Sequence, residues 1–379
     1  MEKKDIVFFI GAGFTKAVVN TAPKGSEFFD YAFDEKRNFI GDIRVQHVKN
    51  FIEENYYQVG RKNYPKIEDV SSLIDYVIQR KESLSNKYLL EDVLKIKKDM
   101  IFLISAVIKK SIEESADHDI LKPSRQFIKK LRKLHERKDN ISIISTNYDI
   151  IIDNSLLEIM QSSNYGIRLR NNIFWNPDEK QNSVKAHGHE SWSFNVGNSV
   201  HEGTLNNGAI PFLKLHGSLN WFYCPKCDEL DITIGKKGAS ELAGDHDKFI
   251  CVNHFCTSNY QPLLVTPTML KLYDNSFLQE LWLETEKIIA KAEKLFFIGY
   301  SLDPADYHIR SMLTKALANN TNNPSIIVIE KELDMNNQED RIRIGEVKKR
   351  YTSLFGSNRV EFKPIGLSAF LENWDSFFD

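Results

Sequence analysis

The sequence predicts an α/β fold built around a mostly parallel sheet, and three observations predict it. Six short apolar runs, residues 6–10, 141–144, 212–215, 263–265, 295–298 and 326–329, are continuous rather than alternating, as strands covered on both faces require. Helical patterns separate them, the alternation that lays strands parallel. Each run is closely followed by small or polar residues: Gly11-Ala12-Gly13, Thr146-Asn147-Tyr148-Asp149, His216-Gly217-Ser218, Thr266-Pro267-Thr268, Gly299-Tyr300-Ser301 and Glu330. The layout is Rossmann-like, and in such sheets ligands bind outside the carboxyl ends of the strands. Chemistry is therefore expected where those polar residues collect.

Residues 6–10 open the chain as a buried strand. Lys3 and Lys4 before an apolar run suggest a signal peptide, but Glu2 and Asp5 interrupt the charge and no small-residue cleavage site follows. Residues about 21–120 hold helical patterns (67–78, 93–112) and no strand run, which reads as a helical insertion. Phe127, Ile128, Leu131 and Leu134 fall at i, i+1, i+4, i+7 with Lys129, Lys130, Arg132 and Lys133 between them, an amphipathic helix with a basic outer face. Residues about 161–210, with Asn171-Asn172, Asn195 and Asn206-Asn207-Gly208, read as long loops or a hairpin excursion. Leu281, Trp282, Ile288 and Ile289 mark a later helix. Residues 318–324 form a polar loop before the last strand run, and 331–379 read as a C-terminal extension with short helical patterns.

At 379 residues the length prior is two or three units. Hydrophobic residues at 42% and charged residues at 27% exclude a wholly disordered chain. Lys+Arg 50 against Asp+Glu 52 excludes a basic field over the whole protein. Nucleic acid is then expected only through a partner or a local patch, such as 129–137 or 341–350. No run approaches the roughly 18 apolar residues of a membrane span, and four cysteines are too few for a disulfide scaffold. A cytoplasmic protein with no membrane contact is the expectation.

Gly11-Ala12-Gly13-Phe14-Thr15 suits either a phosphate loop or a plain strand–helix turn. The dinucleotide fingerprint wants a third glycine where Lys16 stands, and no Walker A sequence occurs. Asn147 and Asp149, two apart at a strand end, can face one pocket or cap a helix. His216, beside Gly217, reads as a general base or as a structural histidine. All four cysteines, Cys224, Cys227, Cys251 and Cys256, lie in one segment, with Cys224-Pro225-Lys226-Cys227 as a knuckle turn. That clustering favours structural zinc over a redox pair or free thiols, with His254 as reserve ligand.

In chain order, Gly11-Ala12-Gly13-Phe14-Thr15, Thr146-Asn147-Tyr148-Asp149, Leu215-His216-Gly217, the cysteine cluster and Gly299-Tyr300-Ser301-Leu302 resemble the sirtuin family. Sirtuins carry a Gly-Ala-Gly loop, an Asn-x-Asp segment, a His-Gly, two Cys pairs and a Gly-Thr-Ser-type loop in that order. The resemblance covers about residues 5–20 and 141–330. Gly299-Tyr300-Ser301-Leu302, with Asp306-Tyr307-His308 after it, looks like the bacterial antiphage-defence branch, whose members degrade NAD.

The resemblance implies a sirtuin-like NAD-binding domain over 1–330, with the insertion at about 21–120, a zinc module at about 222–260, and the 331–379 extension. It implies an NAD hydrolase that cleaves the nicotinamide–ribose bond to nicotinamide and ADP-ribose, in antiviral defence by NAD depletion. NAD is then the substrate and zinc is structural. Asn147 would orient the ribose and the attacking water, Asp149 would help hold the carboxamide, and His216 would be the general base. Gly11, Ala12, Gly13 and Thr15 would line the phosphate end. Gly299, Ser301, Leu302 and Glu330 would complete the cofactor site, Ser301 and Glu330 on the adenosine half. The relatives it resembles include chains that assemble with a HerA-like ring ATPase, so a homo-oligomer with that partner is expected.

Departures from the family select the reaction. Deacetylases carry Gly-Ile-Pro-x-Phe-Arg after the glycine loop, whereas Thr15 leads into Lys16-Ala17-Val18-Val19 here. They carry Phe-Gly-Glu after the second Cys pair, whereas Cys256 here is followed by Gln261-Pro262-Leu263. Without those peptide-holding segments, hydrolysis is preferred. The alternatives are an NAD-dependent protein deacylase and a non-catalytic NAD- or nucleotide-sensing scaffold of a defence complex.

Overall fold

The computed structural model describes residues 3–37, 39, 41–56, 64–115, 119–160, 162–167, 174–175, 195–196, 209–233, 250–251, 253, 255–269, 275–304 and 306–378. In chain order the elements are β1 (Asp5–Ile10), α1 (Ala12–Val18), α2 (Phe28–Ala32), α3 (Ile43–Asn55), α4 (Ile67–Arg80), α5 (Leu90–Glu113), α6 (Lys122–Glu136), β2 (Asn140–Ser145) and α7 (Ile151–Met160). Three two-residue strands follow, β3 (Ser162–Ser163), β4 (Phe174–Trp175) and β5 (Asn195–Val196). Then come β6 (Phe212–Lys214), β7 (Gly217–Cys224), β8 (Glu229–Thr233), β9 (Gln261–Leu264), α8 (Ser276–Ile289), β10 (Lys294–Ile298), α9 (Tyr307–Ala318), β11 (Ser325–Ile329), α10 (Gln338–Phe355), β12 (Val360–Lys363) and α11 (Gly366–Glu372).

Six strands form one sheet in the order β12-β11-β10-β1-β2-β6, and every neighbouring pair is parallel. Counted in chain order within that sheet, the strands read 6-5-4-1-2-3, the doubly wound Rossmann order. The order reverses between β1 and β10, so a crevice opens past Ile10 and Ile298. Burial explains the continuous apolar runs. Every residue of β1 from Ile6 to Ile10 is buried, because helices cover both faces of the sheet.

The chain after Glu330 is built into this core. β12 pairs with β11, and Trp374 stacks on Phe8 at 5.7 Å between ring centroids while Phe296 stacks on Phe8 at 4.9 Å. Trp374→Ala is expected to cost about 3–5 kcal/mol, the usual loss for a buried aromatic. Chemical denaturation checks it, and an unchanged midpoint would separate the tail from the core.

Two strand expectations are corrected. Residues 263–265 were expected in the parallel sheet. They instead belong to or follow β9, which runs antiparallel to β7 in a second sheet of order β4-β8-β7-β9. An apolar run buried in a second sheet reads the same as one in the first. The sixth parallel strand is β12, at the sheet edge. Of the 161–210 segment, residues 161, 168–173, 176–194 and 197–208 lie outside the described residues.

Helices α2 to α5 pack a core of their own around Phe29, Phe51, Ile74 and Met100, and it includes Leu219 of β7. Tyr148 and Leu264 pack against the same cluster. The helical segment therefore lies beside the loops at the strand ends. No helix among the described residues is long and apolar enough to cross a membrane.

Candidate active site

At the crevice the β1–α1 loop and the loop after β10 touch backbone to backbone. Gly11 N–H donates to the Ile298 carbonyl at 3.1 Å, and Gly13 N–H to the Gly299 carbonyl at 2.7 Å. Gly299 has φ +60°, and a Cβ there would lie 2.3 Å from the Phe14 nitrogen. The glycines are thus required by the close approach of two loops. The Gly13 amide is engaged by Gly299, while Ala12 and Gly13 are exposed. Lys16, standing where the fingerprint has glycine, donates to the carbonyls of Asn20 and Ala22 at 2.7 and 2.6 Å.

Asn147, Thr15 and Asp149 are joined in one hydrogen-bond chain. Asn147 Nδ2 donates to the Gly11 carbonyl at 3.0 Å and to Thr15 Oγ1 at 2.9 Å. Thr15 Oγ1 donates to Asp149 Oδ2 at 2.6 Å, and the Ile151 amide donates to Asp149 Oδ1 at 3.0 Å. Asp149 therefore caps the first turn of α7 and ties it to α1. Burial pushes its carboxyl up, against the Lys214 charge, the Thr15 hydroxyl and the Ile151 amide.

His216 follows β6, the sheet neighbour of β2, and is buried. Its Nδ1 lies 3.1 Å from the Thr146 carbonyl oxygen. A carbonyl only accepts, so Nδ1 carries the proton and Nε2 the lone pair in the neutral ring. The imidazole sits 6.0 Å from the Tyr148 ring. Gly217 has φ +74°, and a Cβ there would lie 2.0 Å from the Leu263 carbonyl oxygen, so only glycine turns the chain into the second sheet here.

Beneath these residues lies a buried network that the sequence reading missed. Lys214 is fully buried, and its Nζ donates to the Asp149 carbonyl at 2.7 Å, Asp153 Oδ2 at 2.9 Å and Ser218 Oγ at 2.6 Å. Tyr165 donates to the other Asp153 oxygen at 2.7 Å, and Ser218 to Asn220 Oδ1 at 2.6 Å. Three acceptors satisfy the ammonium, and one of them holds the Asn147–Asp149 loop. The signal was present: a lysine inside the apolar run 212–215 has to be buried, and buried lysines are paired. Asp153→Ala leaves that charge without its counter-ion and is expected to cost about 3–5 kcal/mol. A denaturation midpoint equal to wild type would refute the assignment.

Other expected site residues lie apart from this group. Ser301 is half-buried in the loop after β10, whereas Leu302, at φ +51°, is buried in the main core. Glu330 ends β11, three strand spacings or roughly 14 Å from β2. Its Oε1 accepts from the Lys331 amide at 3.1 Å and pairs with Arg343 of α10 at 3.4 Å.

The four cysteines converge. Their Sγ atoms all lie within 4.8 Å of one another, with Cys224–Cys256 at 3.6 Å and Cys227–Cys251 at 3.8 Å. Tetrahedral zinc with Zn–S of about 2.3 Å sets sulfurs about 3.8 Å apart. Donor type, number and spacing therefore fit zinc, which Cys224, Cys227, Cys251 and Cys256 would hold. Four protein ligands close such a site, so its role is structural. Burial pushes the Cys224 thiol up, but the Cys227 amide, the Cys251 thiol and the Lys226 amide outweigh it and bring it to about 7. His254 lies outside the described residues.

No known family model matches the sequence, and no curated protein matches it. Solved structures do resemble the chain. One described as "The Structural basis for Sirtuin Substrate affinity" is 12% identical, with 100% of this chain and 95% of that chain covered and a TM-score of 0.37. "Sir2-p53 peptide-NAD+" is 12% identical over the same shares, with a TM-score of 0.39. "Structural Basis for the Mechanism and Regulation of Sir2 Enzymes" is 14% identical over 93% of this chain and 95% of that one, with a TM-score of 0.31. These structural neighbours are sirtuins of the Sir2 family.

Proposed function

We propose that this chain hydrolyses NAD at the nicotinamide–ribose bond, releasing nicotinamide and ADP-ribose. One observation carries the reading. An anchored Asn147 and a tautomer-fixed His216 stand at adjacent strand ends, β2 and β6, beside the crevice of a doubly wound sheet. The order of motifs that resembles the sirtuin family supports it, and so do the two glycine loops that bring exposed backbone to that crevice.

The reaction passes through a transition state of oxocarbenium character, as at other glycosidic centres. Nicotinamide leaves with the bonding electron pair and becomes neutral. Water attacks the ribose carbon, and its proton goes to His216 Nε2 or to solvent. Engaging Nδ2 on Gly11 and Thr15 leaves Asn147 Oδ1 as the acceptor that orients a ribose hydroxyl or the water. Asp149 acts as a positioning residue, because Thr15 and Ile151 occupy its carboxylate. Products from NAD alone test the reading by mass spectrometry. Free nicotinamide plus ADP-ribose is expected. Acyl-ADP-ribose formed only with an acylated peptide, or tight binding without turnover, would overturn it.

The resemblance also supports a role in antiviral defence by NAD depletion, with the cytoplasm as its setting. An unrestrained hydrolase drains its own cell, so control is assigned to a homo-oligomer and a HerA-like ATPase partner. Light scattering on the purified chain tests this. A monomer at micromolar concentration with full, unregulated turnover would refute both claims.

A further inference from the structure

One face of α4 looks at the strand ends and carries buried polar atoms without hydrogen-bond partners among the described residues. Glu68, Ser71, Ser72 and Asp75 fall at i, i+3, i+4 and i+7, one side of the helix. Their neighbours show where that side points. Ser72 Oγ accepts from the Met269 amide at 2.8 Å, and Asp75 Oδ2 from Thr266 Oγ1 at 3.1 Å. Those partners follow Val265, whose amide donates to the His216 carbonyl at 2.9 Å. At the other end the Glu68 carboxylate packs against Gly25, in the segment after α1. Helix α4 thus reaches from the segment after α1 to the strand end that carries His216, and Glu68 to Asp75 covers about 10 Å of that path.

The four residues differ in how they are satisfied. Asp75 is an anchor, paired with Lys97 at 2.9 Å as well as with Thr266. Ser72 donates back to the Glu68 carbonyl, the ordinary bond of a serine inside a helix. Ser71 makes no such bond. It is 2% exposed, and its Oγ has no hydrogen-bond partner among the described residues. Glu68 Oε2 is likewise buried and without one. Gly25 leaves room for the Glu68 carboxylate: a Cβ there would come within 2.7 Å of Oε1 and 3.2 Å of Oε2. Burial, and behind it the charge of Asp303, pushes the Glu68 carboxyl up. A buried polar atom left unbonded is costly, and alanine at position 71 would remove that cost while favouring the helix.

We propose that Glu68 and Ser71 are ligand-binding residues that hydrogen-bond a ribose of the dinucleotide, so that the helical segment supplies the second wall of the site. Glu68 Oε2 accepts from a ribose hydroxyl, and Ser71 Oγ completes the contact from the next turn. This rests on the NAD reading given above.

Calorimetry with ADP-ribose on the full chain tests it, comparing wild type with Ser71→Ala and Glu68→Gln. Each variant is expected to bind about tenfold more weakly, with a Tm equal to or above that of wild type, because an unsatisfied group has been removed. A purely structural role would lower Tm instead. Binding within twofold of wild type in both variants overturns the inference and leaves the NAD reading standing. Weaker binding together with a lowered Tm also overturns it, in favour of structure. A wild-type chain that binds no ADP-ribose overturns the NAD reading, and this inference with it.

Discussion

His216→Ala is expected to lower NAD turnover by about 10²–10⁴, the usual loss on removing a positioned general base. The loss should fall on kcat with KM little changed, because the base acts in the transition state rather than in binding. Asn147→Ala should match it in rate, but with a second signature. Its Nδ2 holds Gly11 and Thr15, so losing it should also destabilise the fold by about 1 kcal/mol. Steady-state kinetics beside thermal denaturation separates the two effects. Near-normal turnover by a folded His216→Ala chain would sink the assignment of the base.

The strands legible in the sequence are those with both faces covered. The runs in β1, β10 and β11 contain only apolar residues, and the run in β2 adds only the buried Ser142, because solvent reaches neither side. The edge strand β12 reads Val360-Glu361-Phe362-Lys363, with no residue fully buried, so no apolar run announces it. The second sheet was hidden for the opposite reason, since the buried run at 263–265 carries no mark of which sheet buries it. At the site, the strand-end rule brought Asn147, Asp149 and His216 together because it depends only on where strands stop. It could not rank them. Whether Asp149 faces a ligand or caps α7 depends on Thr15, 134 residues away. Lys214 and the α4 face were missed because each was read by its neighbours' pattern. The lysine lies inside an apolar run, and Glu68 and Asp75 lie inside the helical pattern 67–78, which marks a helix and no site.

The cysteine module should lose its structure when metal is removed, and this is the largest stability effect expected. Among the described residues its own apolar cluster is Phe222, Tyr260 and the cysteines Cys224, Cys251 and Cys256, with Cys227 packed against them. Each fully buried aromatic side chain contributes about 1.5–3 kcal/mol, whereas a structural zinc site in a small domain contributes about 10–16 kcal/mol at neutral pH. Metal ligation therefore outweighs packing in holding this segment. One zinc per chain is expected after purification without chelator, lost together with the local fold on treatment with a strong chelator. Cys224→Ser should reproduce that loss. It should lower Tm first and turnover only as a consequence, because β7 runs from the cysteines back to Gly217, next to His216. Acid should have the same effect, since thiolates must be reprotonated to release the metal. Zinc-free protein with an unchanged Tm would refute the metal assignment. A turnover defect in Cys224→Ser at wild-type Tm would refute the structural role, because a closed four-thiolate site has no open position for chemistry and can reach His216 only through the fold.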